Sequence, residues 1–213
     1  MAEKCFQLKT ETGEKHALNY RLSPTNAEPP SPWPDGTWRR TQITTDEEGY
    51  FDAQAVEQMP KHWMVFHPIV REIPDVIGEF SKIEIAFPAI SVELKEMIEA
   101  VDPELCHFVK AGRMWDLTHD CEVTGRDYYF TSVRKMVDAV DPDSDLDGGP
   151  ELGARSYFLT QQTKIRKSAI SQHMLWRDRL TRVVMCNEEF RERAQAVGCS
   201  NISFYPLKVD EGR

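Results

Sequence analysis

Apolar and polar residues alternate with two different periods in the second half of the chain. In "SKIEIAFPAIS" they alternate one by one, as they do in a half-buried strand. The segment that follows, "SVELKEMIEAV", places Leu94, Met97, Ile98 and Val101 at positions i, i+3, i+4 and i+7, which form one face of a helix. Ser91 is suited to cap the start of that helix. The pattern predicts a strand followed directly by an amphipathic helix.

The rest of this half is predicted to form further strands and one more helix. Four segments are each predicted as a strand because they are short and apolar or rich in Val, Tyr, Phe and Thr. These segments are "ELCHFVKA", "RDYYFTSVRKMVDAV", "SYFLTQQTKIRKSAI" and "LTRVVMC". The segment "NEEFRERAQAVG" predicts a helix that ends at Gly198, and "NISFYPL" predicts the last strand.

The two helix-containing segments resemble each other. "SVELKEMIEAVDPELCHFV" from Ser91 and "NEEFRERAQAVGCSNISFY" from Asn187 align without a gap at an offset of 96 residues. The general patterning of any strand–helix–strand unit explains such a match equally well, so a relation between the two units is left open. Either explanation predicts an α+β fold, with a few amphipathic helices packed on a mainly antiparallel sheet.

The first part of the chain has a different character. "RLSPTNAEPPSPWPDGTW" contains five prolines and no periodic pattern, which predicts an extended polar arm. Trp33 and Trp38 are expected to anchor this arm, since two exposed indoles in a coil are unusual. We therefore expect residues 1–45 to form a Pro-rich arm partly packed on the body, and residues 46–213 to form a single α+β domain.

Composition narrows the class of protein. Hydrophobic residues make up 40% of the 213 residues, which is enough for a buried core. The sequence contains no run of eighteen apolar residues, and its N-terminus lacks the apolar stretch of a secretory signal, so a cytoplasmic protein without a membrane partner is expected. The five cysteines are scattered and form no C-x-x-C pair, which favours free thiols in a reducing compartment.

The charge of the chain bears on its partners. A formal net charge of -9 disfavours direct binding of nucleic acid, because phosphate contact needs a basic face. The same charge favours a basic protein partner, mainly by speeding encounter. The oligomeric state does not follow from the sequence.

The most acidic stretch is "DAVDPDSDLDGGPE". Asp143, Asp145, Asp147 and Gly148 have the spacing that begins a calcium-binding loop. The position that should hold the bidentate glutamate of such a loop is Ala154, and the flanking segments read as strands rather than helices. The stretch is therefore interpreted as a solvated acidic turn, and no metal ion or cofactor is expected.

A second source of chemistry would be the histidines and cysteines. Several of them could converge in space as a zinc site or an enzyme active site, although no pair has ligand spacing and no catalytic combination stands out from chance placement. These residues are His62, His67, Cys106, His107, His119 and Cys121. Phosphate-binding glycine motifs do not occur in the sequence either.

The C-terminal stretch carries a resemblance to a known family. "LWRDRLTRVVMCNEEFRERAQAVGCSNISFYPL" has an apolar strand, a capped "EEF" helix start, a small-residue turn and a closing "I-x-F-Y-P" strand. It resembles the ending of bacterial polymorphic-toxin immunity proteins of immunity family eleven. "RDYYFTSVRKMVDAVDPDSD", "SYFLTQQTKIRKSAI" and "PAISVELKEMIEAVDPELCHFV" resemble other parts of that family in the same order, so the resemblance covers roughly residues 80 to 207.

The resemblance implies a non-enzymatic immunity protein that binds and neutralises a cognate secreted toxin and so protects the producing cell and its siblings. Because this chain is acidic, we expect that toxin to be basic. The alternative is a metal-binding protein or enzyme that uses the histidines and cysteines named above. The candidate partner-binding residues are an acidic set and two tryptophans of the arm: Asp143, Asp145, Asp147, Glu151, Trp33 and Trp38.

Overall fold

The computed structural model describes residues 4–10, 21–25, 45–57, 62–66, 80–82, 88–116, 121–122, 126–141, 143–148, 157–170, 173–199 and 202–210. Within these ranges the helices are α1 (Ala53–Glu57), α2 (Val92–Val101), α3 (Lys167–Ile170) and α4 (Glu188–Ala196). The strands are β1 (Cys5–Thr10), β2 (Arg21–Thr25), β3 (His62–Phe66), β4 (Phe80–Lys82), β5 (Pro88–Ser91), β6 (Cys106–Lys110), β7 (Arg113–Asp116), β8 (Cys121–Glu122), β9 (Tyr128–Val133), β10 (Met136–Val137), β11 (Leu146–Gly148), β12 (Tyr157–Leu159), β13 (Lys164–Arg166), β14 (Leu175–Asp178), β15 (Val184–Asn187) and β16 (Ile202–Asp210). The predicted mixture of helices and strands is confirmed, and strands dominate it.

The largest sheet has six strands in the order β10-β14-β15-β1-β16-β13. Its four central strands pair antiparallel, whereas the outermost pairs, β10 with β14 and β13 with β16, are parallel. The expectation of a mainly antiparallel sheet is therefore only partly right. Parallel neighbours need a long connection between them, and a pattern of local hairpins in the sequence does not reveal such a pairing.

The two edges of this sheet meet. The chain just beyond β10 forms an antiparallel bridge to β13 at Val140 and Ile165. The amide of Arg166 donates to the carbonyl of Ala139 at 2.8 Å, and the amide of Asp141 donates to the carbonyl of Lys164 at 2.9 Å. The sheet thus curls until its edge strands join, which removes the unpaired edges that would otherwise invite aggregation. We call this junction the seam.

Both faces of the curled sheet are buried. Neighbouring residues of one strand point to opposite faces, so Leu175 enters one core cluster while Trp176 enters the other. Cys186 and Met185 divide in the same way on β15. Burial on both faces explains why these strands read as short continuous apolar runs rather than as alternating ones.

Two strand–helix–strand units have the same topology and the same register. In the first, β5 and β6 lie on either side of β9 and pair antiparallel with it. In the second, β15 and β16 lie on either side of β1 in the same way. In the first unit, Tyr129 of the central strand lies between Ile90 and Lys110. In the second unit, Phe6 takes the same place between Cys186 and Pro206. Corresponding residues of the flanking strands are 96 positions apart, as in the sequence alignment of the two segments.

The helices of the two units begin with equivalent caps. The hydroxyl of Ser91 accepts a hydrogen bond from the amide of Leu94, and the amide oxygen of Asn187 accepts one from the amide of Phe190. Each cap pairs one of the amides that a helix start leaves without an internal partner. Both helices bury an apolar face in the same core cluster, where Leu94 and Phe190 are each 1% exposed. The two predicted helices are confirmed.

Two predicted strands are wrong in their extent. "RDYYFTSVRKMVDAV" forms two strands, β9 and β10, which belong to different sheets. The chain changes sheets between them, because the amide of Arg134 donates to the carbonyl of Leu105 and the carbonyl of Lys135 accepts from the amide of Arg177. "SYFLTQQTKIRKSAI" contains β12, a turn, β13 and the short helix α3. In that turn the amide of Thr160 donates to the hydroxyl of Thr163 at 2.8 Å and reverses the chain.

The remaining strands form smaller sheets. One has the order β4-β5-β9-β6, a second has the order β2-β3-β7-β8, and β11 pairs with β12 as a hairpin. Residues of β1 and β2 belong to the segment that the sequence predicts to be an arm, and the division of the chain at residue 45 stays a prediction. No helix in the described ranges is long and apolar enough to cross a membrane.

Candidate functional site

The acidic segment is held in place by its backbone while its carboxylates face solvent. Asp143, Asp145 and Asp147 are all exposed. The hydroxyl of Ser144 accepts from the amide of Lys164 at 2.9 Å and donates to its carbonyl at 3.2 Å. The carbonyl of Asp145 accepts from the hydroxyl of Thr163 at 2.9 Å. The segment therefore presents several negative charges from a fixed backbone beside the seam.

A buried carboxylate holds the chain at the seam, just before the acidic segment. Asp178 is 1% exposed and ends β14. One of its oxygens accepts from the amides of Ala139 (3.0 Å) and Val140 (3.1 Å) at the seam. The other oxygen accepts from the amides of Leu180 (3.1 Å) and Thr181 (2.7 Å) in the next turn, and from the Thr181 hydroxyl at 2.9 Å. Asp178 thus joins the seam to the β14–β15 turn.

The β11–β12 hairpin extends the acidic segment. Leu146 pairs with Leu159 and Asp147 pairs with Phe158 across the hairpin. Leu146 and Leu159 pack against the core cluster that contains Trp176, so the other pair points away from the core. Asp147 and Phe158 are both exposed.

Three of the six candidate partner-binding residues lie in this region, and the other three lie outside the described residues. Asp143, Asp145 and Asp147 are brought together on one short stretch of surface. Glu151, Trp33 and Trp38 lie outside the described residues, so their placement stays a prediction.

The structure gives Cys106 and His107 separate structural roles. They are neighbours on β6 and point to opposite faces. Cys106 is 4% exposed in the core, where burial raises the pKa of its thiol. The Nδ1 atom of His107 accepts a hydrogen bond from the amide of Phe51 at 2.8 Å. The two side chains therefore do not form a joint site.

Two of the other candidate ligands, His62 and Cys121, lie on different strands and far apart. His62 is level with Arg113 and Cys121 is level with Asp116, on opposite sides of β7. Their backbones are therefore three residues apart along the strand direction, which is about 10 Å, and two strand spacings apart across the sheet, which is also about 10 Å. His67 and His119 lie outside the described residues. Among the residues that are described, no three His, Cys, Asp or Glu side chains are grouped so as to hold a metal ion.

A cluster that the sequence reasoning missed lies on the outer side of β6. The guanidinium of Arg134 lies 3.7 Å from the ring centre of Tyr50, and it donates to the carboxylate and, at 3.0 Å, to the carbonyl of Glu104. The hydrogen bond and charge of Arg134 hold the pKa of the Glu104 carboxyl below its usual value. Burial, and then the charge of Arg134, lower the pKa of His107.

These contacts fasten the segment before α1 to β6. Tyr50 and Phe51 both pack against the His107 ring, with ring centres 5.2 Å and 5.4 Å away. The partners are more than fifty positions apart in sequence, so no local spacing could have indicated the cluster. These contacts hold the fold together.

Comparison with known proteins places the chain in a family. Residues 9–209 match the model of the immunity protein family Imm11, which extends the resemblance well beyond residues 80 to 207. No individual curated protein matches the chain. Because the family model covers nearly the whole sequence, the chain belongs to the immunity protein family Imm11.

Proposed function

We propose that this protein is a cytoplasmic, non-enzymatic immunity protein of a polymorphic toxin system. It binds a cognate secreted toxin and neutralises it, which protects the producing cell from its own toxin and from that of its siblings. The observation that carries the proposal is the match of residues 9–209 to an immunity protein family.

The charge of the chain supports a basic toxin as the partner. The net charge is -9, and the exposed carboxylates of Asp143, Asp145 and Asp147 lie together beside the seam. Opposite charge on two partners raises the association rate from about 10⁵–10⁶ M⁻¹s⁻¹ towards 10⁸–10⁹ M⁻¹s⁻¹ at low salt. Fast capture suits an inhibitor that must act before a toxin reaches its target. These three residues are therefore proposed contacts, with Glu151, Trp33 and Trp38 as further candidates.

Four buried thiols support binding rather than covalent chemistry. Cys5, Cys106, Cys186 and Cys199 are free and buried. Burial raises the pKa of Cys5 to about 12 and also raises the pKa of Cys186. Since the thiolate is the nucleophile and the metal ligand, thiols in such surroundings are poorly suited to either role.

Co-expression with the neighbouring gene tests the proposal. The product of that gene should arrest growth when produced alone, and this chain should restore growth and co-purify with the toxin in a fixed ratio. An unrelated acidic protein of similar size, expressed in its place, controls for non-specific charge effects.

The alternative function makes a different prediction for the isolated protein. A metal-binding protein or enzyme would contain stoichiometric zinc after purification and would lose it on substitution of His119 or Cys121. Elemental analysis of the purified chain distinguishes the two functions without a toxin.

A further inference from the structure

The outward face of the β11–β12 hairpin carries an exposed aromatic side chain. The strand register pairs Phe158 with Asp147, and the inward pair of leucines fixes both of them on the solvent side. If the pairing of the two strands were shifted by one residue, the side chains that now face the core would face solvent, and the reverse. Phe158 is 57% exposed, more than any other large hydrophobic side chain of the described residues.

An exposed phenyl ring at this position leaves stabilising burial unused. Complete burial of a phenylalanine side chain is worth about 1.5–3 kcal/mol, so more than half of that gain is still available to a partner. Aromatic residues are enriched at protein interfaces for this reason. Tyr205 is exposed to a similar extent, at 51%, but the ammonium of Lys9 lies 4.5 Å from its ring centre and covers part of it.

The charges around Phe158 determine which partner fits. Asp147 lies directly opposite it on the hairpin, and Asp145 and Asp143 precede Asp147 on the same exposed segment. Asp145 and Asp147 are two residues apart, about 7 Å along an extended chain, which is within the screening length of about 8 Å at physiological salt. An apolar partner surface without positive charge would remove water from Asp143 and Asp145 without compensating their charge. A basic surface with an apolar recess meets both requirements.

The geometry points to Phe158 as the apolar anchor of the toxin interface, inserted into a recess of a basic surface on the cognate toxin, with Asp145 pairing beside it. This inference rests on the proposed function and adds to it a residue that anchors the interface. The backbone of the hairpin is anchored by the hydrogen bonds from Thr160 and Thr163 to the Asp145 carbonyl, so Phe158 docks from a largely preformed support.

Titration calorimetry with the purified toxin domain encoded beside this chain tests the inference. Phe158→Ala should weaken binding roughly 30-fold or more, as truncation of a central anchor does. Phe158→Leu should retain most of the affinity, because it keeps an apolar side chain. Tyr205→Ala is the matched control, an exposed aromatic on another strand, and should leave the affinity unchanged. All three variants should unfold within about 2 °C of the wild type, since the altered side chains are exposed.

The outcomes distinguish a failure of the proposed function from a failure of the anchor. If the wild type does not bind the toxin, the proposed function fails. If the wild type and Tyr205→Ala bind tightly and Phe158→Ala binds equally well, the function stands and the anchor is refuted. Sedimentation of the wild type alone provides a further check: a dimer that Phe158→Ala dissociates would show that a second copy occupies this face, and would also refute the anchor.

Discussion

Removal of the Asp178 carboxylate should destabilise the protein more than any exposed substitution near the seam. The side chain is 1% exposed and accepts five hydrogen bonds, four of them from backbone amides. In Asp178→Asn one oxygen becomes an amino group, which cannot accept from either set of amides. Two or three buried donors therefore lose their partner, whichever way the asparagine is turned.

The expected magnitude follows from those donors. A hydrogen bond to a charged group contributes about 1.5–3 kcal/mol, and a buried donor left without a partner costs about 1–3 kcal/mol. The losses are coupled because the amides belong to two short segments, so the total is less than the sum. We expect Asp178→Asn to lower the free energy of unfolding by about 3–4 kcal/mol.

Urea unfolding followed by circular dichroism measures this loss. With a slope of about 2.5 kcal/mol per molar urea, the midpoint should fall by about 1.5 M. Asp138→Asn is the control, because the Asp138 side chain is exposed and its ion pair with Arg179 at 3.2 Å lies in solvent, so the substitution should change stability by less than about 1 kcal/mol. Equal midpoints for the two variants would refute the assignment of Asp178 as the support of the seam.

Three other predictions concern pH, helix caps and thiols. Folding lowers the pKa of His107 below its ordinary value of 6.5. The contribution of His107 to the free energy of unfolding is therefore complete above pH 6.5 and is lost as the pH falls below that value. In His107→Asn, the free energy of unfolding measured in urea should fall less between pH 7.5 and pH 5.5 than it does in the wild type. Ser91→Ala and Asn187→Ala should each lower the free energy of unfolding by about 1 kcal/mol, whereas loss from only one would break the equivalence of the two units. Four buried thiols should react with Ellman's reagent only after unfolding, and rapid reaction of more than one of the five thiols in the native state would contradict this burial: Cys5, Cys106, Cys186 and Cys199.

The helices could be predicted because their signals are local. Periodicity and a polar cap specify α2 and α4 within a few residues of sequence, and both caps form the expected hydrogen bonds. The strands are harder to predict from the sequence. β1 was missed although Phe6 and Leu8 alternate with other residues, because six residues before a polar segment give a weak signal. The boundary between β9 and β10 depends on which sheet each backbone group reaches, and that is decided by pairing with distant strands.

The candidate site could be predicted only in part for a related reason. Exposure of the acidic segment follows from its charge, since carboxylates are rarely fully buried. The outward position of Phe158 does not follow, because Phe158 and Leu159 are both apolar and only the register with β11 decides which one enters the core. The buried Asp178 was missed as well, since its donors come from segments that are distant in sequence.

The central claim is that this chain captures and neutralises a toxin, and co-expression with the product of the neighbouring gene tests it most directly. The account predicts that this product is toxic alone, that the chain restores growth, and that the two proteins co-purify as a stoichiometric complex with association slowed by salt. A neighbouring product that is harmless alone, or a toxin that this chain neither binds nor neutralises, would contradict the account.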